Sequence, residues 1–398
     1  MDKGADSRAK GVSVMIVAVA FVAIIGFMVV ATLISTFGPM VETVREPADD
    51  GTGVIAQVNV AFEEGIALRD GFIDTFGLVQ RAMDKHEVDN YDLVKDMDGY
   101  LHRMSYDRSE RIEGFLDNAT NLYEYTRGEG MDFLLIETSS TYIRGVTKMP
   151  PGVDDYSDRN TDLFLAGLDE AKVPYLDVRD LFEGLREDEI RYRTDHHWAT
   201  PLAFKTFGAT ADYLNDNYGY DLDPEGVFTD PDNYYVEEHP DSFLGSAGVR
   251  VGKYYTGMDD LNIYLPKFET NLRLKKFLRD HELRGEYEGD FRTAFIADEY
   301  LEKGHLNKYQ TFLQNGYEEN FIYNYGNDNG LKCLLITDSF GRSYAQYLSL
   351  LFSETVTIDA SRESRYDGDV KEYIAAHEPD VVICMVYGRS VWHTLAGF

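Results

Sequence analysis

Two short segments carry residue types that can do covalent chemistry. The first is TDHHWAT, residues 194–200. Asp195 and His197 stand two apart, and in an extended loop side chains at that spacing share one side. Histidine is the usual base for a weak nucleophile, and a carboxylate fixes its tautomer and steadies its positive charge. On this reading His196 points the other way and serves structure, while Trp198 pins the loop by packing or lines a substrate site. The second segment is CLLITDSFGRSYAQYL, 333–348. Its apolar half reads as a buried strand and a helix starts near Gly341, so Ser339 falls at a strand-to-helix turn. Backbone N–H groups and the helix dipole at such a turn stabilise an oxyanion. A serine hydroxyl still needs a base within hydrogen-bond reach. Ser339, His197 and Asp195 together make a triad for moving acyl groups, in the chain order Asp, His, Ser; geometry rather than order defines such a site.

Blander readings exist for each residue. Ser339 or Asp338 can cap a helix. Loop histidines can bond the backbone. His196 and His197 can bind a metal with ligands from elsewhere, but no carboxylate or histidine cluster in the rest of the chain has ligand spacing. The expectation is therefore no metal and no cofactor.

The triad requires elements that bring both segments to one edge of a sheet. Five apolar runs read as strands: 133–137, 173–178, 333–337, 355–359 and 380–388. Helical patterns separate them, around 112–128, 156–171, 201–216, 341–352 and 368–377, with Thr200 as N-cap and Pro201 as first helical residue of the third. Continuous apolar strands alternating with helices imply a five-stranded parallel sheet covered on both faces, an α/β fold. Sites in such sheets lie at the carboxyl ends of the strands. Residues 218–330 break the alternation and read as an irregular β-rich insertion. Asp98-Gly99 in VKDMDGYL reads as a tight turn between short strands, and 57–85 as a helix.

The net charge of −32 repels nucleic-acid phosphates and anionic headgroups, so nucleic-acid binding is discarded. Cys333 and Cys384 lie in apolar strands and read as free core thiols, with a bridge left open. Residues 11–37 contain no charge and exceed the roughly 20 residues that cross a bilayer. Lys3, Arg8 and Lys10 precede this run and acids follow it. The reading is an uncleaved single-pass anchor after a cytoplasmic tail (1–10), a juxtamembrane linker (38–56) and an extracytoplasmic domain (57–398).

The motifs resemble the DHHW protein family and, more broadly, the SGNH-hydrolase-like proteins of alginate O-acetylation. TDHHW places Asp195 and His197 on the family's T-D-x-H-W segment, and LLITDSF places Ser339 on its nucleophile. Segments within 68–101, LLIETSSTYIRG and FLGSAGVRVG (243–252) are also similar to family segments, and the resemblance covers roughly 62–398. It implies an SGNH-like three-layer domain and a membrane-anchored serine O-acetyltransferase working through an acetyl-serine. The implied partners are a polysaccharide, an acetyl donor and a membrane-bound O-acyltransferase. An acetylesterase with the same triad, or a non-catalytic envelope polysaccharide-binding or assembly protein, are the alternatives. Two departures stand out. Thr337-Asp338-Ser339 replaces Gly-Asp-Ser, and no block supplies an oxyanion-hole Asn, since Gly326-Asn327-Asp328 falls at the wrong sheet edge. Gly245 and Ser246 are taken as oxyanion-hole partners, and Arg250, Tyr387 and Arg389, with Trp198, as candidates to bind substrate.

Overall fold

The computed structural model describes residues 3–45, 54–90, 92–278, 282–302, 306–316, 318–359 and 370–387. They form two compact units, divided after Val79. In the first, one helix runs Lys3–Arg45 and carries a stretch, Phe21–Arg45, long and apolar enough to cross a membrane. The described residues of the expected linker are helical: the first helix continues through Pro39 to Arg45, and a second, Val54–Glu64, begins before the linker ends. The single helix expected over 57–85 is broken at 65–68, and a new one spans Arg69–Ala82.

The second unit begins with a small antiparallel sheet, β1 (Glu87–Val88), β2 (Leu93–Lys95) and β3 (Leu101–Arg103). The Asp98-Gly99 turn joins the last two, with Gly99 at φ 95°. Next come β4 (Asp132–Thr138) and β5 (Tyr175–Asp177). The 218–330 segment supplies β6 (Tyr234–Phe243), β7 (Asp259–Pro266), β8 (Leu272–Phe277), β9 (Leu283–Gly289) and β10 (Glu319–Asn324). The chain closes with β11 (Lys332–Thr337), β12 (Glu354–Asp359) and β13 (Val381–Tyr387).

The main sheet has eight strands in the order β5-β4-β13-β11-β12-β10-β8-β9. The five expected strands are mutually parallel within it, but the sheet is mixed. Strands β10, β8 and β9 extend it antiparallel. Much of the expected irregular insertion is thus part of the sheet, and β6–β7 form a separate hairpin. Antiparallel strands with one wet face lack a continuous apolar run: β8 alternates buried and half-buried, and the edge strand β9 has no buried residue.

Each face of the sheet has its own core. Leu134, Ile136, Leu335, Ile383 and Met385 pack with Phe207 and Tyr344 on one side. Phe133, Leu135, Leu334, Ile336, Val382 and Cys384 pack with Leu122, Phe164, Leu168 and Ile374 on the other. The helices Thr200–Tyr218 and Gly341–Leu348 lie on the first side, and Ile112–Gly128, Ser157–Ala171 and Val370–His377 on the second. Thr200 is the first residue of its helix rather than its cap; Ala199 occupies that position, with no side-chain cap.

Cys333 and Cys384 are free, fully buried and on opposite faces of adjacent strands, so no bridge joins them. Burial pushes both thiols well above their ordinary range. Neither should react with a water-soluble disulfide reagent in the native protein. Two thiols should titrate once the chain is unfolded in guanidinium, and thiol counting before and after denaturation measures this.

Candidate active site

The carboxyl ends of β4, β13 and β11 face the same rim of the sheet, and both motif segments arrive there. Ser339 follows β11 by two residues and precedes the helix Gly341–Leu348 by the same interval. The turn is tied by the Asp338 side chain, which accepts the Phe340 N–H at 2.9 Å, and by its carbonyl, which accepts that of Gly341 at 3.1 Å. Ser339 is half-buried, whereas His197 and Asp195 are buried.

The TDHHW segment is not extended. Arg191 and Trp198 pair as an antiparallel bridge, and 193–197 form a bent turn between them. Asp259 clamps this turn, accepting the N–H groups of Arg193 at 2.7 Å and Thr194 at 2.8 Å, and the Thr194 hydroxyl at 2.5 Å. At its base, the buried Arg191 guanidinium meets Asp96 at 3.4 Å and Thr147 Oγ1 at 3.2 Å, with the Tyr100 ring 4.2 Å away. His102 is in turn 2.9 Å from Asp96.

Within this frame the three expected residues meet. His197 Nε2 lies 2.7 Å from Ser339 Oγ, and its Nδ1 hydrogen-bonds Asp195 Oδ1. A carboxylate only accepts, so Nδ1 carries the proton and the Nε2 lone pair receives the serine O–H. Asp195 also accepts the His197 N–H at 3.1 Å and the Ser246 N–H at 2.5 Å. Burial acts to raise its pKa, but the charges of His197 and His196 and these hydrogen bonds prevail and hold the carboxyl far below its usual range. Glu137, at the end of β4, goes the other way. Burial and the nearby Asp177 charge push it well above its usual range.

The remaining expected residues fare differently. The Gly245 and Ser246 amides are spent on Thr194 Oγ1 (2.8 Å) and Asp195, so they hold the acid rather than form an oxyanion hole. Gly245 is required there: a Cβ would strike the Asp195 side chain and come within 2.7 Å of the Thr194 carbonyl. His196 does not point away. Its ring lies 4.0 Å from that of His197, and its Nδ1 is 3.1 Å from Ser246 Oγ. Asp195, His196 and His197 are close enough to share a cation, but both His197 nitrogens are already committed to Asp195 and Ser339. Trp198 is fully buried, so it lines no substrate surface; its N–H donates to Ser343 Oγ at 2.9 Å. Arg250 pairs with Asp89 and, at 2.8 Å, with Asp92, beside the small sheet. Tyr387 ends β13 and stacks on Phe340 at 4.7 Å, 6.3 Å from His196. Arg389 lies outside the described residues.

Sequence reading missed Tyr309 and Asp259. Tyr309 stacks on the His197 ring, 3.9 Å and 12° from parallel, and its hydroxyl is 3.0 Å from Ser343 Oγ. Both residues come from the 218–330 segment, where nothing in the residue pattern set one Tyr or Asp apart from the rest. In that segment Tyr234, Tyr255 and Tyr309 are buried, whereas Tyr235, Tyr254 and Tyr325 are exposed.

No family model and no curated protein matches the sequence. Solved structures do match. Bacillus cereus PatB1, solved with a sulfonyl adduct, is 17% identical, with 75% of this chain and 95% of that chain covered and a TM-score of 0.62. A DHHW family protein from Eubacterium siraeum is 16% identical, with 77% and 95% covered and a TM-score of 0.58. These likenesses establish the fold, and they include a protein of the family the motifs resemble.

Two outcomes follow from how Asp195 is held. Gly245→Ala should displace Asp195 and slow modification of Ser339 by a sulfonyl fluoride on the order of 10²-fold; a rate equal to the parent's would mean the acid is not positioned from this side. Asp195 has a folded pKa below its ordinary 3.8, so its contribution to stability is complete above that value and drains away as pH falls further. Asp195→Asn should therefore cost most stability at neutral pH, with the gap to the parent narrowing below about pH 3.8 in urea unfolding.

Proposed function

We propose that the chain is a membrane-anchored serine O-acetyltransferase that acts outside the cytoplasm on polysaccharide. The observation that carries this reading is the continuous relay from Asp195 through His197 to Ser339 Oγ at 2.7 Å. As Ser339 Oγ attacks the carbonyl carbon of an acetyl donor, its proton passes to His197 Nε2. The imidazolium rests against the Asp195 carboxylate and the Tyr309 ring face, both of which favour a cation. Negative charge develops on the carbonyl oxygen beside the N-terminal end of the helix Gly341–Leu348, where dipole and backbone N–H groups favour it. His197 then returns the proton to the leaving group, and acetyl-serine remains. A sugar hydroxyl, deprotonated by the same His197, takes the acetyl group and releases Ser339. If water takes that place the enzyme is an esterase, and only the acceptor differs.

The neighbour with a sulfonyl adduct supports this reading by chemistry, because sulfonyl groups are captured by activated nucleophiles. The N-terminal helix supports the anchor. Gly65 and Ala67 bond to Ser35 and Thr32 of that helix, so the domain's own chain folds back on it, which a removable leader does not require. The basic residues before the apolar run favour an N-terminus inside. An acetyl donor on the outer side then calls for a membrane-bound O-acyltransferase as partner.

A sulfonyl fluoride should modify Ser339, located by peptide mass mapping, and His197→Ala should prevent it. Ser339→Ala should lower release of acetyl from a small ester by on the order of 10⁴-fold or more. An oligosaccharide present in the assay should become acetylated. Unchanged turnover in Ser339→Ala overturns the enzymatic reading, and free acetate without acetylated sugar replaces transfer by hydrolysis.

A further inference from the structure

We propose that the helix Arg69–Ala82 lies along the bilayer–water boundary with Phe72, Phe76 and Val79 immersed in lipid. The proposal rests on the membrane-anchor reading above. It starts from a conflict between sequence pattern and exposure. Phe72, Phe76 and Val79 recur at i, i+4 and i+7, which on a helix is one stripe. They are 50%, 61% and 48% exposed. Asp70 and Arg81 fall on the opposite side, by the 100° that each residue turns. A helix in water turns its apolar stripe inward; this one turns it out.

What covers the stripe follows from where the helix begins. The Ala67 N–H donates to Thr32 Oγ1 at 3.1 Å, and the Ser35 hydroxyl donates to the Gly65 carbonyl. The approach is close: a Cβ on Gly65 would meet the Thr36 side chain at 2.5 Å. Thr32, Ser35 and Thr36 lie in the uncharged run 11–41, more than 20 residues beyond Lys10, the last charge before it. At 1.5 Å per residue, about 20 residues counted from that charge fill a hydrocarbon core of about 30 Å, so these three sit at the outer boundary. The chain segment 65–67 is therefore fastened to the anchor at headgroup depth. Two residues later the amphipathic helix starts. A helix leaving that depth with an outward apolar stripe buries it in the headgroup–acyl boundary.

Charge points the same way. The helix carries Arg69 and Arg81 against Asp70 and Asp74, so it has no excess of cations to hold an anionic surface. Its contact with lipid is apolar and should not weaken with salt.

The test uses the full chain in phosphatidylcholine liposomes with a nitroxide at one introduced cysteine. Cys333 and Cys384 are fully buried and do not compete for the label. Phe72→Cys, Phe76→Cys and Val79→Cys should be reached by oxygen, which partitions into lipid, several-fold more readily than by a water-soluble nickel chelate. Asp70→Cys should show the reverse, and Ile25→Cys, in the span itself, the deepest oxygen preference. Nickel access at 72, 76 and 79 equal to that at 70, with 25 still in lipid, overturns the proposal and leaves the anchor standing. Nickel access at 25 as well overturns the anchor. Protection of 76 from both probes puts protein on the stripe and equally overturns the proposal.

Discussion

The hydrogen bond between His197 and Ser339 joins positions 142 residues apart, and the second unit is arranged to keep it at 2.7 Å. Closing a long segment of chain costs only slowly more as the segment grows; placing an imidazole to within a few tenths of an ångström is the harder demand. A parallel sheet meets half of it by bringing the carboxyl ends of β4, β11 and β13 to one rim. Helix packing meets the rest. The helix after TDHHW and the helix after Ser339 lie side by side, joined by Tyr344 OH to Thr210 Oγ1 at 2.8 Å. Ser343 receives Trp198 from the first loop and sits within 3.0 Å of the Tyr309 hydroxyl from the insertion. Three distant segments thus meet at one hydroxyl four residues beyond Ser339, and displacing any of them moves His197 relative to Ser339.

The same site solves an electrostatic problem. A buried carboxylate is costly unless paired, and this one must stay ionised to steady an imidazolium. A guanidinium beside Asp195 would satisfy it but would repel the imidazolium. Among the described residues its ion pairs are with His197 and His196, and backbone N–H groups supply the rest. Of the two arginines close in sequence, Arg191 in the bridge is held on Asp96, Glu187 and the Thr141 carbonyl, and Arg193 lies 5.4 Å from the Tyr100 ring. Amides stabilise the anion without adding a competing cation, and for that reason a glycine must stand at 245, where the backbone comes against the acid.

Legibility in the sequence followed the length scale of each signal. The five parallel strands were readable because both faces are covered, so runs such as VVICMVY are apolar throughout. Asp195, His197 and Ser339 were readable because their chemistry constrains residue type and each lies next to a strong local signal. The partners of those residues were not. Gly245 and Ser246 were expected to face an oxyanion, whereas their amides donate to Thr194 Oγ1 and Asp195, since nothing local says whether an amide faces an acid or an oxyanion. Asp259 and Tyr309 act through contacts made 65 and more positions away. The antiparallel strands β8 to β10 were lost in the insertion because half-exposed strands dilute their apolar residues with Arg, Lys, Glu and Asn.

If the chain is anchored as proposed, its charge balance requires the attachment to be apolar. At −32 the chain is repelled by anionic headgroups, and the repulsion reaches about one Debye length into the medium. A polybasic patch, the common electrostatic way to hold a domain at a bilayer, is incompatible with this composition. Hydrophobic immersion is insensitive to that repulsion, and a spanning helix supplies it irreversibly. The fastening of Gly65 and Ala67 to Thr32, Ser35 and Thr36 then matters for geometry more than for affinity: it folds the chain back on the first helix as a hairpin, and if that helix spans a bilayer as proposed, the returning arm leaves it at a set height. On the proposed reading, in which the acyl group comes from a donor in the membrane, a mount of this kind offsets the repulsion that the chain's negative charge would otherwise create at an anionic surface.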